Sequence, residues 1–167
     1  TAVDFLGKLS APAYKIASFE LVDIPLIKKA ASKKKPLIMS TGVADYEEIS
    51  DACITANNFG ADGYALLHCV SDYPSLPKEM QLKAIQQLKY RFDVPIGLSD
   101  HTIGSTVAVA AITLGATIIE KHITLNNNLP GPDHQSSLNP NDFRIMVSNI
   151  IKTEMSFGNG VKKPNVN

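Results

Sequence analysis

One pattern constrains this chain more than any other. A short apolar run ends in small, polar or charged residues, an amphipathic segment follows, and the unit recurs five times. The runs cover residues 13–20, 36–42, 63–71, 94–101 and 116–124. Continuous apolar runs bounded by proline or glycine suit strands buried on both faces, as in parallel sheets. The segments between them carry helix signals. Asp23 precedes Ile27, Ala30 and Ala31, while Asp45 and Glu48 have capping-box spacing ahead of Ile49, Cys53 and Ala56. Leu82, Ile85, Leu88 and Phe92 recur at helical spacing, and Ser105 stands before a small-residue stretch at 107–114. Asn139 followed by Pro140 opens a last helix with Phe143, Met146, Val147, Ile150 and Ile151 as its apolar stripe and Gly158 as its stop.

Strand alternating with helix implies a parallel sheet with crossover connections. An open doubly wound sheet and a (β/α)8 barrel compete. The nucleotide-binding version of the open sheet carries a glycine-rich turn after a strand, and neither Gly-x-Gly-x-x-Gly nor a P-loop spacing occurs here. In the barrel, function gathers at the C-terminal ends of several strands. All five runs end in polar groups, so the expected fold is α/β, a partial (β/α)8 TIM barrel. A barrel takes about 250 residues and eight repeats. The 167 residues supply five, so the chain reads as about five of eight βα units. It opens without Met in what already reads as helix, as if entered partway through a longer protein.

Composition narrows the partners. Sixteen basic and sixteen acidic side chains cancel, which removes the long-range electrostatic case for nucleic acid or an anionic membrane. No apolar run approaches the roughly 18 residues of a membrane span. Cys53 and Cys69 are too few for a disulfide framework, and a reducing, cytoplasmic setting is expected.

The strand ends carry the candidate chemistry. Ser99-Asp100-His101 and Glu120-Lys121-His122 place one histidine at each of two neighbouring strand ends. Neighbouring parallel strands lie about 4.8 Å apart, so His101 and His122 can converge on one divalent metal. The competing reading is that each histidine only bonds a loop. His68, earlier in its run, reads as a structural histidine. Lys15, Ser18 and Glu20 are expected on one face of the first strand, where a buried lysine needs an anion; a Lys–Glu pair is the alternative. Ser40-Thr41-Gly42 offers hydroxyls and flexible backbone for an anion. Ser71 and Tyr73 follow the third strand, and Asp133 lies in the Pro130-Gly131-Pro132-Asp133-His134 loop, facing sugar hydroxyls or simply forming a turn. Cys53 reads as core, and the Lys33-Lys34-Lys35 run as a solvated loop.

Taken in order, Lys15-Ile16-Ala17-Ser18-Phe19-Glu20, Ser40-Thr41-Gly42, Gly97-Leu98-Ser99-Asp100-His101-Thr102, Glu120-Lys121-His122 and the Pro-Gly-Pro-Asp-His loop resemble the sialic acid synthase family. The resemblance spans essentially the whole chain. The loop is more similar to the N-acetylneuraminate branch than to the pseudaminic acid branch, and it leaves the legionaminic acid branch open. The resemblance implies condensation of phosphoenolpyruvate with N-acetylmannosamine or a related amino sugar. It implies a divalent cofactor, Mn²⁺ or another such as Mg²⁺, on His101 and His122. Positions matching Lys15, Ser18, Ser40, Ser71 and Ser99 contact phosphoenolpyruvate, and those matching Tyr73 and Asp133 face the sugar. Ser71 departs from the asparagine of some members. Glu20 and Glu120 match acidic positions lining the site, and with a metal-bound water they compete as the general base. The resemblance also implies a homodimeric parent with three further βα units before this chain. An antifreeze-like domain follows in the family and is absent from these 167 residues. The alternatives are another metal-dependent barrel aldolase or sugar-acid synthase, or a non-catalytic partial-barrel module.

Overall fold

A computed structural model describes residues 1–164. The elements are α1 (Ala2–Lys8), β1 (Tyr14–Ile16), α2 (Ile24–Ala31), β2 (Leu37–Ser40), α3 (Tyr46–Asn58), β3 (Tyr64–Cys69), α4 (Ala84–Phe92), β4 (Ile96–Asp100), α5 (Thr106–Thr113), β5 (Ile118–Lys121) and α6 (Pro140–Ser156). All five strands are parallel, and they lie side by side in chain order.

That order settles the choice of architecture. A doubly wound sheet reverses strand order at a switch point, which sends helices to both faces. No reversal occurs here, so the helices share one face and the sheet is an arc of a barrel. Side-chain alternation separates the two faces. Tyr14, Ile16, Leu37, Met39, Leu66, Ile96 and Leu98 are buried in one core with Ile27, Ile49, Cys53, Ile85 and Leu88 of the helices. The residues between them point to the concave side: Lys15, Ser40, Leu67, Cys69, Gly97, Ser99 and Glu120. Ladder register stacks these in layers. Ser40 pairs with Leu67, Leu67 with Gly97 and Gly97 with Ile118, and at the next level Cys69 pairs with Ser99 and Ser99 with Glu120.

Local signals hold the helices as the sequence suggests. Asp45 accepts the Glu47 and Glu48 amides while Glu48 accepts the Asp45 amide, completing the capping box of α3. Asp23 accepts the Leu26 amide at the start of α2, and Asn139 caps α6 with Pro140 in its first turn. Cys53 is core as expected, and burial pushes its thiol up to about 11. Lys33 is not simply solvated, because its ammonium pairs with Asp4 at 2.6 Å.

Several expectations are corrected. The first strand ends at Ile16, and Ser18–Glu20 form a 3₁₀ turn, so Lys15, Ser18 and Glu20 do not share one strand face. The turn makes its own capping box: the Glu20 carboxylate accepts the Ala17 amide at 2.9 Å. Ser105 occupies the N-cap of α5 but makes no side-chain cap bond. Only Met146 of the α6 stripe is buried, and Val147 and Ile151 are exposed, because the helix packs on α5 along one edge alone. Among the described residues, no helix is long and apolar enough to cross a membrane.

Gly97 is the tightest point of the concave side. A Cβ there would stand 2.5 Å from both the Ile118 carbonyl oxygen and Leu67 Cδ2. Gly97→Ala in the full-length protein is therefore expected to cost about 1–3 kcal/mol by overpacking. Thermal unfolding checks it, and an unchanged Tm would contradict the packing described.

Candidate active site

The concave side ends, at the C-terminal strand tips, in a cleft of about 120 Å³. Lys15, Ser18, Ser40, Cys69, Ser71, Tyr73, Ser99, His101, Glu120 and His122 line it. Nine of these were expected from sequence, and Cys69 was not. The residues arrive from all five strand ends because parallel strands in sequential order point every C-terminus to one rim.

The deep half is polar and ordered. Lys15 Nζ donates to Ser40 Oγ at 2.8 Å and to the Ile16 carbonyl at 2.9 Å. It also lies 3.7 Å from Glu120 Oε1. That carboxylate accepts the Ser99 hydroxyl at 2.7 Å, a contact set by the Ser99–Glu120 ladder pairing. Ser18, displaced from the strand by the 3₁₀ turn, accepts the Gly42 amide at 3.0 Å. A Cβ on Gly42 would meet Ser71 Oγ at 2.6 Å and Ser18 Oγ at 2.9 Å, so glycine lets the two hydroxyls close around the backbone. Ser18, Ser40 and Ser99 are buried, whereas Lys15 and Glu120 keep partial exposure.

The histidines lie above this layer. His101 and His122 have ring centroids 5.4 Å apart at 76°. His101 is buried, and its Nδ1 stands 2.9 Å from the Val70 carbonyl. A carbonyl only accepts, so Nδ1 carries the proton and Nε2 keeps its lone pair. Burial opposes charging His101, but the Cys69 thiol and the Val70 carbonyl outweigh it and hold the imidazole above its ordinary value. For Cys69 burial raises the value, but its bonds to His101, Ser18 and Ser71 turn the balance downward. Cys69 lies in register with Ser99, the signal that could have marked it as a site residue.

The outer half is more open. Tyr73 lies over His101 with centroids 4.1 Å apart and meets His122 edge-on at 5.6 Å. Burial, then Cys69, Asp133 and Glu120, raise its phenol above the usual range. Asp133 does not line the cleft wall, yet its Oδ2 lies 3.9 Å from His122 Nδ1 and so stands at the rim. Glu20 is the residue the fold does not deliver: its carboxylate is engaged by the Ala17 amide, outside the cleft. His68 also stays outside. Its Nε2 bonds the Met80 carbonyl on the helix side of the sheet, and burial lowers its basicity.

Among the described residues, no group of three or more His, Cys, Asp or Glu side chains forms a ready metal cage. Two imidazoles alone would leave most coordination positions of a divalent ion open. That donor set fits an exchangeable divalent ion and not a closed structural one.

Comparison with known proteins places this geometry. A model of the NeuB family matches residues 1–162. N,N'-diacetyllegionaminic acid synthase of Legionella pneumophila is 42% identical over 170 residues, covering 99% of this chain and 48% of that protein. Pseudaminic acid synthase of Helicobacter pylori is 44% identical over 169 residues, with coverage of 99% and 48%. The crystal structure of N-acetylneuraminic acid synthetase from Leptospira borgpetersenii, in complex with citrate, superposes with a TM-score of 0.91 at 34% identity, covering 98% of this chain and 57% of that one. The chain spans about half the length of the curated relatives it matches.

The tautomer of His101 is directly observable. At a pH where the ring is neutral, ¹⁵N NMR of the metal-free protein should show Nδ1 protonated and Nε2 bare. The opposite tautomer would contradict the Val70 bond and the orientation it gives the ring.

Proposed function

The chain belongs to the NeuB family, and from that premise we propose that it forms most of the catalytic barrel of an enzyme that joins phosphoenolpyruvate to an N-acetylated amino sugar. N-acetylmannosamine is the first candidate, the products being a nine-carbon keto acid and phosphate. One observation carries the reading: two convergent histidines stand directly above a lysine, buried hydroxyls and one carboxylate, at a single barrel rim.

His101 and His122 would hold the divalent ion, Mn²⁺ in the first instance, with Mg²⁺ as an alternative. When bound, such an ion supplies Lewis-acid polarisation of the sugar's open-chain aldehyde. The protein's own groups do the rest. Lys15 with Ser18, Ser40, Ser71 and Ser99 binds the phosphate and carboxylate of phosphoenolpyruvate. Ser18, Ser40 and Ser99 are buried, where hydrogen bonds to anions are strongest. Tyr73 and Asp133, at the open rim, orient the sugar with its aldehyde carbon over the methylene carbon. The methylene carbon attacks the aldehyde carbon, whose C=O electrons pass to the oxygen, which is protonated to a hydroxyl; the enol carbon becomes cationic, and water adds to it with loss of one proton. The tetrahedral phosphate adduct then loses phosphate by C–O cleavage. Holding two substrates in line supplies a large part of the rate. Glu120 is the better placed of the two acids to take the proton from water, since it lines the cleft and Glu20 does not.

Sequence family and geometry support a sugar-acid synthase; the sugar, the metal, a cytoplasmic setting and a homodimeric parent with further βα units and an appended antifreeze-like domain are parts of the proposal. The full-length protein, supplied with Mn²⁺, phosphoenolpyruvate and N-acetylmannosamine, is expected to release phosphate and form a nine-carbon keto acid. His101→Ala and His122→Ala should each reduce kcat at least about 100-fold. Lys15→Met should raise KM for phosphoenolpyruvate about 10–100-fold, the worth of one charge-assisted hydrogen bond. No phosphate release with any N-acetylated amino sugar would overturn the assignment.

A further inference from the structure

Asp100 and Lys121 are the middle residues of the two histidine motifs, and nothing in the proposed reaction uses them. Alternation turns them away from the cleft, toward the helices. Their side chains are sealed from solvent, with 1% exposure for Lys121 and 0% for Asp100. Lys121 Nζ donates to Asp100 Oδ2 at 2.8 Å and also to the Thr102 carbonyl. Asp100 Oδ1 accepts both the Thr102 amide at 2.9 Å and the Thr102 hydroxyl at 2.7 Å. Thr102 is itself fully buried. Among the described residues no buried side-chain polar atom lacks a partner, this network included.

Its place in the ladder gives it a task. The β4–β5 pairing stops at Asp100 and Lys121. His101 and His122 lie one residue beyond it. Past this rung the backbones of the two strands bond elsewhere: after β4 the His101 carbonyl accepts the Ser75 amide at 3.1 Å, and after β5 the His122 carbonyl accepts the Leu138 amide at 3.0 Å. The Lys121 ammonium bridges this gap. From the residue before His122 it holds the residues on both sides of His101.

We infer that Asp100, Lys121 and Thr102 form a positioning clamp that fixes the spacing at which the chain presents His101 and His122, while the Val70 carbonyl sets the turn of the His101 ring. The inference rests on the proposed metal-binding role of those histidines. A buried ion pair is a poor device for stability, since apolar residues of similar volume often do as well or better. An apolar pair can slide, however, whereas a buried ammonium bonded to both a carboxylate and a carbonyl is tied to those two points. Groups that orient metal ligands typically change metal affinity about 10–100-fold when removed.

The test is Mn²⁺ affinity, read by electron paramagnetic resonance titration of the full-length protein without substrates. The double variant Asp100→Asn/Lys121→Met removes both charges and leaves no lone buried ion. Thr102→Val keeps both charges and the side-chain shape and deletes one bond to Asp100. Ile85→Val, in the helix layer, is the control for loss of packing alone. The double variant should bind Mn²⁺ at least about 10-fold more weakly and Thr102→Val about threefold or more, while Ile85→Val binds as wild type. Wild-type affinity in Thr102→Val and in the folded double variant overturns the clamp. Should the double variant fail to fold, Thr102→Val alone decides. A wild-type protein that binds no Mn²⁺ overturns the metal reading itself, a result distinct from failure of the clamp.

Discussion

Everything at this rim depends on the two-residue period of a parallel ladder. In β4 and β5 the period sends Ser99 and Glu120 inward and Asp100 and Lys121 outward, in matched pairs. His101 and His122 follow at the next inward position. A slip of one residue in either strand would bury a histidine under the helices and turn a lysine or aspartate into the cleft. The apolar pattern prevents the slip: Leu98 is wholly buried and Ile119 packs beside it on the helix side. Core packing and site geometry are therefore one constraint as far as the last rung of the ladder.

The same alternation explains how charge is distributed. The cleft holds one lysine and one carboxylate among several hydroxyls. Neutral donors can be buried at small cost once bonded, and Ser18, Ser40 and Ser99 each have a partner. The ionised groups, Lys15 and Glu120, stay partly in solvent at 33% and 41% exposure. Glu120 occupies the donors of Ser99 and approaches Lys15, both of which an incoming anion would want. Anion binding must then displace or neutralise that carboxylate, and added positive charge at the neighbouring histidines would favour the exchange. The hydroxyls of the deep end are thus buried and bonded, while Tyr73 and Asp133 at the rim are half exposed. A barrel built this way can keep one anion site constant and vary the partner presented at its mouth.

Much of this was legible in the sequence, for a physical reason. Buried parallel strands are short apolar runs whatever their tertiary neighbours, and capping boxes such as Asp45–Glu48 are local. The paired histidines were readable because equivalent strand ends meet on one rim. What failed lay where local backbone departs from the repeat. The 3₁₀ turn at Ser18–Glu20 breaks the two-residue period, so Ser18 reaches the cleft by another route and Glu20 is drawn into capping. The α6 stripe looked complete, yet only Met146 is covered, because periodicity shows an apolar face and not what packs on it. Cys69 has no partner nearby in its motif; its partners, His101 and Ser71, come from tertiary structure and the next loop.

The buried Asp100–Lys121 pair shows where sequence patterning alone is blind. In Ser99-Asp100-His101 and Glu120-Lys121-His122 every residue is polar, so hydrophobic alternation gives no signal of which side each faces. Chemistry gives one instead. Two opposite charges at matched positions in adjacent strands are tolerable inside only if they meet, and they can meet only if the strands pair at that rung. Any other register leaves an unpaired ion under the helices, which is strongly destabilising. The pair therefore acts against wrong registers more than it favours the right one. It does so at the last rung before the histidines, where the backbone ladder has stopped enforcing alignment.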